Sequence, residues 1–115
     1  MDTWCTLKKN RDFRRLYAKG KSVVTPYMVL YCRRNSLGVN RLGYTVSTKL
    51  GHAVVRNRVR RRLREIYRLN SPAMKKGFDI VVVARSRCVG ARYAKMNAAF
   101  LEACGTLGLL REDRA

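Results

Sequence analysis

Carboxylates are scarce in this chain. Seven Asp and Glu stand against 26 Lys and Arg in 115 residues, for a formal net charge of +19. The seven are Asp2, Asp12, Glu65, Asp79, Glu102, Glu112 and Asp113, and only the last two adjoin. Two-metal phosphoryl chemistry needs several converging carboxylates, and no such set is visible. Histidine occurs once, as His52. It has no evident cysteine or carboxylate partner and reads as a satisfied loop residue. The four cysteines, Cys5, Cys32, Cys88 and Cys104, form no C-x-x-C pair. The usual structural zinc signature is therefore missing, and the cysteines read as reduced thiols packed as small apolar side chains. Phosphate-loop, dinucleotide-binding and nucleophile-elbow motifs are also absent. Long apolar runs are missing too. The longest uncharged stretch, residues 22–32, is eleven residues with a proline inside it, and a spanning helix needs roughly 20. Charges interrupt the first twenty positions, so no secretory signal is visible and a cytoplasmic location is expected. With only Pro26 and Pro72 and no Gly/Ser-rich linker, one domain over residues 1–115 is expected.

Apolar material is sufficient for a core: 47 % of the chain is hydrophobic, too much for a disordered polybasic tail. Residues 10–19 read as a helix, with Asn10 as N-cap and Gly20 as the glycine after its end. Phe13, Leu16 and Tyr17 recur on one face. Residues 27–34 are rich in strand formers. Residues 35–40 have turn composition. In residues 41–48, Leu42, Tyr44 and Val46 alternate with Gly43, Thr45 and Ser47. The two runs around that turn predict an antiparallel pair. Residues 53–69 form the strongest helical pattern, with Val55, Val59, Leu63, Ile66 and Leu69 in one arc. Residues 78–84 are nearly all apolar, as a central strand buried on both faces would be. A last helix over residues 91–109 has Tyr93, Met96, Phe100, Ala103 and Leu107 as its inner stripe. A further short strand fits in residues 21–26. The pattern predicts a small α+β sandwich with a mixed sheet of three or four strands.

The positive charge is uneven. Residues 56–68 hold seven arginines and one acid, Glu65. Arg60, Arg64 and Arg68 lie opposite the apolar arc, with Asn57 and Arg61 on the same face and Arg56 and Arg58 beside it. Arg62 falls toward the apolar side and must extend outward along it. So many like charges at i, i+3 and i+4 weaken an isolated helix. A solvated helix face normally mixes both signs. Arginine's planar fork suits phosphates and bases, so the expected partner is a nucleic acid. A ribosomal structural protein shares this size, charge and fold class. A major-groove DNA module is the weaker alternative, because neither a helix-turn-helix nor a dimerisation seam is evident.

The stretch from Leu42 to Arg68 closely resembles the signature of the bacterial ribonuclease P protein family. Arg56-Asn57-Arg58 is similar to that family's central motif, with Val46-Ser47, Lys49 and Gly51 before it and Arg61 and Arg64-Glu65 after it. Leu7-Lys8-Lys9-Asn10, Asp12-Phe13, Tyr17 and Gly20 resemble its opening helix. Gly77 to Val81, continuing to Ala84-Arg85, resembles its last strand. Departures are Thr48 where lysine is common, His52 where asparagine is common, and Tyr17 where phenylalanine is common.

The resemblance implies an α-β-β-β-α-β-α two-layer sandwich with a four-stranded mixed sheet and a left-handed crossover around the arginine-rich helix. It implies a monomeric protein subunit that is not catalytic alone. Its partners are a catalytic RNA and precursor tRNA, not DNA or a membrane, and the complex removes the tRNA 5′ leader. The reaction's Mg2+ is held by the RNA and not by the protein. The resemblance assigns catalytic-RNA binding to Arg56, Asn57, Arg58, Arg60, Arg61, Arg64 and Arg68. It assigns the single-stranded leader to a cleft of Phe13, Tyr17, Tyr31, Thr45, Ser47 and Lys49. Periodicity alone reads Phe13 and Tyr17 as core. A passing single strand of varied sequence is suited by stacking platforms of this kind.

Overall fold

The computed structural model describes residues 5–7 and 9–111. Lys8 of the opening segment, Glu112 and Asp113 lie outside them, as does the side chain of Cys5. In chain order the elements are β1 (Cys5–Thr6), α1 (Asn10–Lys19), β2 (Lys21–Val24), β3 (Met28–Arg34), β4 (Arg41–Thr45), α2 (Ala53–Asn70), β5 (Phe78–Ala84) and α3 (Tyr93–Leu107). The four principal strands and the two-residue β1 form one mixed sheet in the order β1-β4-β5-β3-β2.

The predicted antiparallel pairing of residues 27–34 with 41–48 does not form. β5 lies between the two strands, antiparallel to β3 with Tyr31 opposite Val81, and parallel to β4 with Leu42 opposite Ile80. Burial explains the insertion. Ile80, Val81 and Val82 are all buried, and their alternate side chains serve different faces. Such a strand is stable only where both faces are covered, and the centre of the sheet provides that. Residues 35–40 therefore cross the end of β5 rather than closing a hairpin.

The even-numbered side chains of β3, Met28, Leu30 and Cys32, join Leu42, Ile80 and Val82 in the main core. Against them pack Val59, Leu63, Ile66 and Tyr67 of α2 and Met96, Phe100, Ala103 and Cys104 of α3. On the opposite face Leu7, Leu16 and Val81 form a second cluster with Phe13, Tyr31 and Val83. The sheet with α2 and α3 makes the two-layer sandwich, and α1 covers part of the other side.

The burial of α2 corrects the predicted arc. Leu69 is 53 % exposed, whereas Tyr67 is 1 % exposed. A polar anchor accounts for the shift. The fully buried Asn40 donates to the Tyr67 hydroxyl at 2.9 Å and to the Lys75 carbonyl at 3.0 Å, and its Oδ1 accepts from Phe78 N at 2.9 Å. A buried polar group of this kind is tolerated because it is satisfied, and it draws Tyr67 inward.

Both predicted ends of α1 also change. Asn10 is the first helical residue, and Lys9 holds the cap position without a side-chain cap bond. Gly20 has φ −80° and is extended, not left-handed. Its glycine is needed for close approach instead, since a Cβ there would lie 2.7 Å from the Leu16 carbonyl oxygen and 2.9 Å from that of Cys32. Cys32, Cys88 and Cys104 are free and buried, as expected, and burial pushes the Cys104 thiol up to about 12.

Two of the scarce carboxylates anchor the sheet. Asp79 accepts from Arg41 Nε at 2.8 Å and Nη2 at 2.7 Å, and from Asn35 Nδ2 at 2.9 Å. Arg41 also lies 3.9 Å from Asp12 on α1. Burial alone would raise the Asp79 carboxyl, but the hydrogen bonds from Arg41 and Asn35 hold it below its usual range. A carboxyl lowered in the folded state stabilises the fold above its unfolded value of about 3.9, and that contribution is lost as pH falls through the folded value. Urea denaturation should therefore give a stability loss below about pH 4 that Asp79→Asn lacks. The same variant should cost about 2 kcal/mol at pH 7, because it removes the carboxylate that accepts two hydrogen bonds from Arg41 in a partly buried site.

Candidate nucleic-acid interface

The stripe of α1 that includes Phe13 and Tyr17 forms one wall of an open groove of about 510 Å³. Asn10 and Arg14 extend this wall; Tyr44, Thr45 and Val46 at the end of β4 form the floor, and Arg60 of α2 closes the far side. The aromatic rings are arranged in series. Phe13 and Tyr17 have centroids 6.5 Å apart and tilted by 50°. Tyr17 meets Tyr31 edge-on at 4.9 Å. The Tyr17 hydroxyl lies 2.9 Å from Thr45 Oγ1, tying helix to sheet across the groove. Tyr17 remains 41 % exposed, so it is not the core residue that periodicity predicted.

Gly43 sets the depth of this wall. A Cβ there would sit 2.6 Å from the nearest Phe13 ring carbon. The missing side chain lets the Phe13 ring lie against the sheet beside Leu7.

Of the six predicted cleft residues, Phe13, Tyr17 and Thr45 line the groove, and Tyr31 joins them through its ring contact with Tyr17 without lining it. Ser47 and Lys49 are not among the lining residues. They are exposed in the segment leading into the 3-10 turn Thr48–Leu50, where Ser47 Oγ accepts from Lys49 N at 3.1 Å. His52 holds the N-cap position of α2 but makes no side-chain cap bond.

The residues that sequence reasoning missed are Asn10, Arg14 and Tyr44. The first two share the i, i+3, i+4, i+7 stripe with Phe13 and Tyr17, so the helical period was the available signal. Tyr44 alternates onto the core face, and only its position at the groove floor gives it away. Its hydroxyl is buried and makes no hydrogen bond among the described residues. Burial raises its pKa, while the charge of Arg64 pulls the other way.

The arginines of α2 divide by geometry. Arg56 Nε donates to the Gly51 carbonyl at 3.2 Å and secures the helix start. Arg62 Nη1 donates to the Ala91 carbonyl at 2.7 Å in a partly buried position, so its head is tied to the segment before α3. Arg68 is paired with Glu65 at 2.7 Å. Arg60 Nη1 donates to Asn57 Oδ1 at 3.0 Å, at the edge of the groove. Arg58, Arg61 and Arg64 are exposed. This cationic face adjoins the aromatic groove, and Arg60 belongs to both. Among the described residues no carboxylate lines the groove. Among the described residues no three His, Cys, Asp or Glu side chains converge as a metal site, and no helix is long and apolar enough to cross a membrane.

A family model described as Ribonuclease P matches residues 1–108. The ribonuclease P protein component of Natranaerobius thermophilus is 44 % identical over 108 residues, covering 94 % of each chain. That of Clostridium acetobutylicum is 43 % identical, covering 93 % of this chain and 92 % of the relative. Among solved structures, a Staphylococcus aureus RNase P protein mutant with defective mRNA degradation activity superposes with a TM-score of 0.84 at 32 % identity, over 91 % of this chain and 89 % of that one. The RNase P protein from Thermotoga maritima gives 0.78 at 35 % identity, over 84 % and 92 %.

Proposed function

We propose, from the premise that this chain belongs to the ribonuclease P protein family, that it is the protein subunit of a cytoplasmic ribonucleoprotein whose RNA carries out 5′ maturation of precursor tRNA. The observation that carries this reading is the junction of an aromatic groove with an arginine face on one small domain. In this reading Arg58, Arg61 and Arg64, with Asn57, engage phosphates of the catalytic RNA. Phe13, Tyr17 and Tyr31 offer stacking surfaces to the single-stranded leader, and Thr45 holds Tyr17 in place. Arg60 stands between the two RNAs and fixes their spacing. Ser47 and Lys49 extend the leader path beyond the groove, toward the start of α2.

Magnesium belongs to the RNA in this scheme, where it would supply the activated water and charge stabilisation of phosphodiester hydrolysis. The protein's own work is binding and positioning. Concentrated positive charge also lowers the repulsion between two polyanions, which otherwise requires more counterion. The test is reconstitution with a cognate catalytic RNA at low magnesium. The chain should accelerate cleavage of precursor tRNA and show no cleavage without that RNA. Absence of stimulation would sink the reading.

A further inference from the structure

A second cationic hollow lies across the sheet from the aromatic groove. It occupies the end of the sheet where β3 finishes and β5 begins, and has a volume of about 440 Å³. Lys19, Lys21, Arg33, Arg34 and Lys75 line it, with Phe78 and Cys32 as the apolar floor. A neighbouring hollow of about 390 Å³ shares Arg34, Lys75 and Phe78 and adds Lys76 and Arg111. Among the described residues no carboxylate lines either one. Asp79 lies one residue along β5 but on the other face, bound by Arg41 and Asn35.

The floor has a specific shape. The Arg34 guanidinium carbon lies 5.9 Å from the centre of the Phe78 ring. Strand pairing sets this contact, because Arg34 is directly opposite Phe78 in the β3–β5 register. An arginine resting on an aromatic ring presents a flat cationic surface, and bases stack on such surfaces. Lys19, Lys21 and Lys75 come to the same hollow from three different elements: the end of α1, the start of β2 and the loop before β5.

We propose that this hollow is a second RNA contact, taking an unpaired stretch of about two nucleotides. One base stacks on the Arg34–Phe78 platform, and the flanking phosphates lie against Lys21, Lys19 and Lys75. The two adjoining hollows set the length of the stretch. The strand comes from the catalytic RNA or from the precursor, since both present the same chemistry. The site shares no lining residue with the groove on the α1 face. It rests on the reading of this chain as an RNA-binding subunit, but it uses different residues.

The experiment is a salt titration of binding with the full chain and its Lys21→Ala/Arg34→Ala variant, whose altered residues are exposed. One arm uses the catalytic RNA alone, and the other uses precursor tRNA with the RNA already present. Loss of the Lys21 phosphate contact should lower the slope of log K against log salt by about 0.7, and loss of the Arg34 stack with it should take affinity down at least tenfold in one arm. The arm affected identifies the strand. Arg34→Lys should restore the slope but not the affinity, because lysine keeps the charge and loses the flat stack. Equal urea midpoints of variant and parent exclude misfolding as the cause. Unchanged slope and affinity in both arms would overturn the proposal. Wild-type stimulation of cleavage is read separately, so failure here is distinct from failure of the ribonucleoprotein reading.

Discussion

Replacing Arg61 and Arg64 together by alanine should weaken binding to the proposed catalytic RNA on the order of 100-fold and lower its salt slope by about 1.5. The size follows from two exposed guanidinium groups, each proposed to make a charge-assisted phosphate contact of about 1.5 kcal/mol and to displace slightly less than one counterion. The choice of residues follows from geometry. Arg56 and Arg62 already donate to the carbonyls of Gly51 and Ala91, and Arg68 is held by Glu65. Arg62→Ala should therefore lower the urea midpoint and leave the slope nearly intact. A filter-binding series over several salt concentrations reads both quantities. An unchanged slope for the Arg61/Arg64 pair would place the RNA on another face.

The scarcity of carboxylates acquires a meaning from these pairings. Asp12 and Asp79 converge on Arg41, and Glu65 occupies Arg68. Three of the seven acids thus neutralise arginines inside or along the fold. Among the described residues neither the groove nor the cationic hollow has an acid in its lining. The described acids relieve self-repulsion at Arg41 and Arg68, away from the linings of both surfaces.

Local elements were legible where one period dominated. The double-sided apolar run at 78–84 identified the central strand, and the arginine register on α2 followed from helical geometry alone. Pairing was less legible. Residues 27–34 and 41–48 flank a turn, and short-range reasoning favours a hairpin. The competing demand is non-local: a strand that is apolar on both faces must be covered on both, and β5 arrives from more than thirty residues away to claim the centre. The exchange of Leu69 for Tyr67 has the same origin, since Asn40 lies in a distant loop and decides which α2 side chain turns inward. The groove residue Thr45 and its neighbour Tyr31 came from family resemblance. Periodicity could not bring them to Tyr17, because their contact joins three separate elements. The Gly43–Phe13 contact was not legible at all. A glycine in a strand signals some close approach, but its partner is known only once α1 has docked.

That contact yields a sharp prediction for the groove. Phe13→Ala should reduce the preference for leader-bearing precursor over mature tRNA by about 1–3 kcal/mol, the contribution of one base–aromatic stack. A competition assay with the assembled ribonucleoprotein measures the ratio directly. Gly43→Ala should lower the same ratio while keeping every groove side chain. Its new methyl group would need the space of the Phe13 ring, which lies 2.6 Å from the added Cβ, so the ring must lift from the sheet. Overpacking of this kind costs about 1–3 kcal/mol of stability, and the urea midpoint should fall as well. Phe13→Ala with Gly43→Ala should then be less than additive, because the first change removes the atoms that the second one strikes. Equal losses for precursor and mature tRNA would make Phe13 a packing residue. Full additivity would mean that Gly43 acts on the groove by some route other than the ring. Sub-additivity with selective loss of the leader preference ties the depth of the groove, through one missing side chain on β4, to recognition of the single strand.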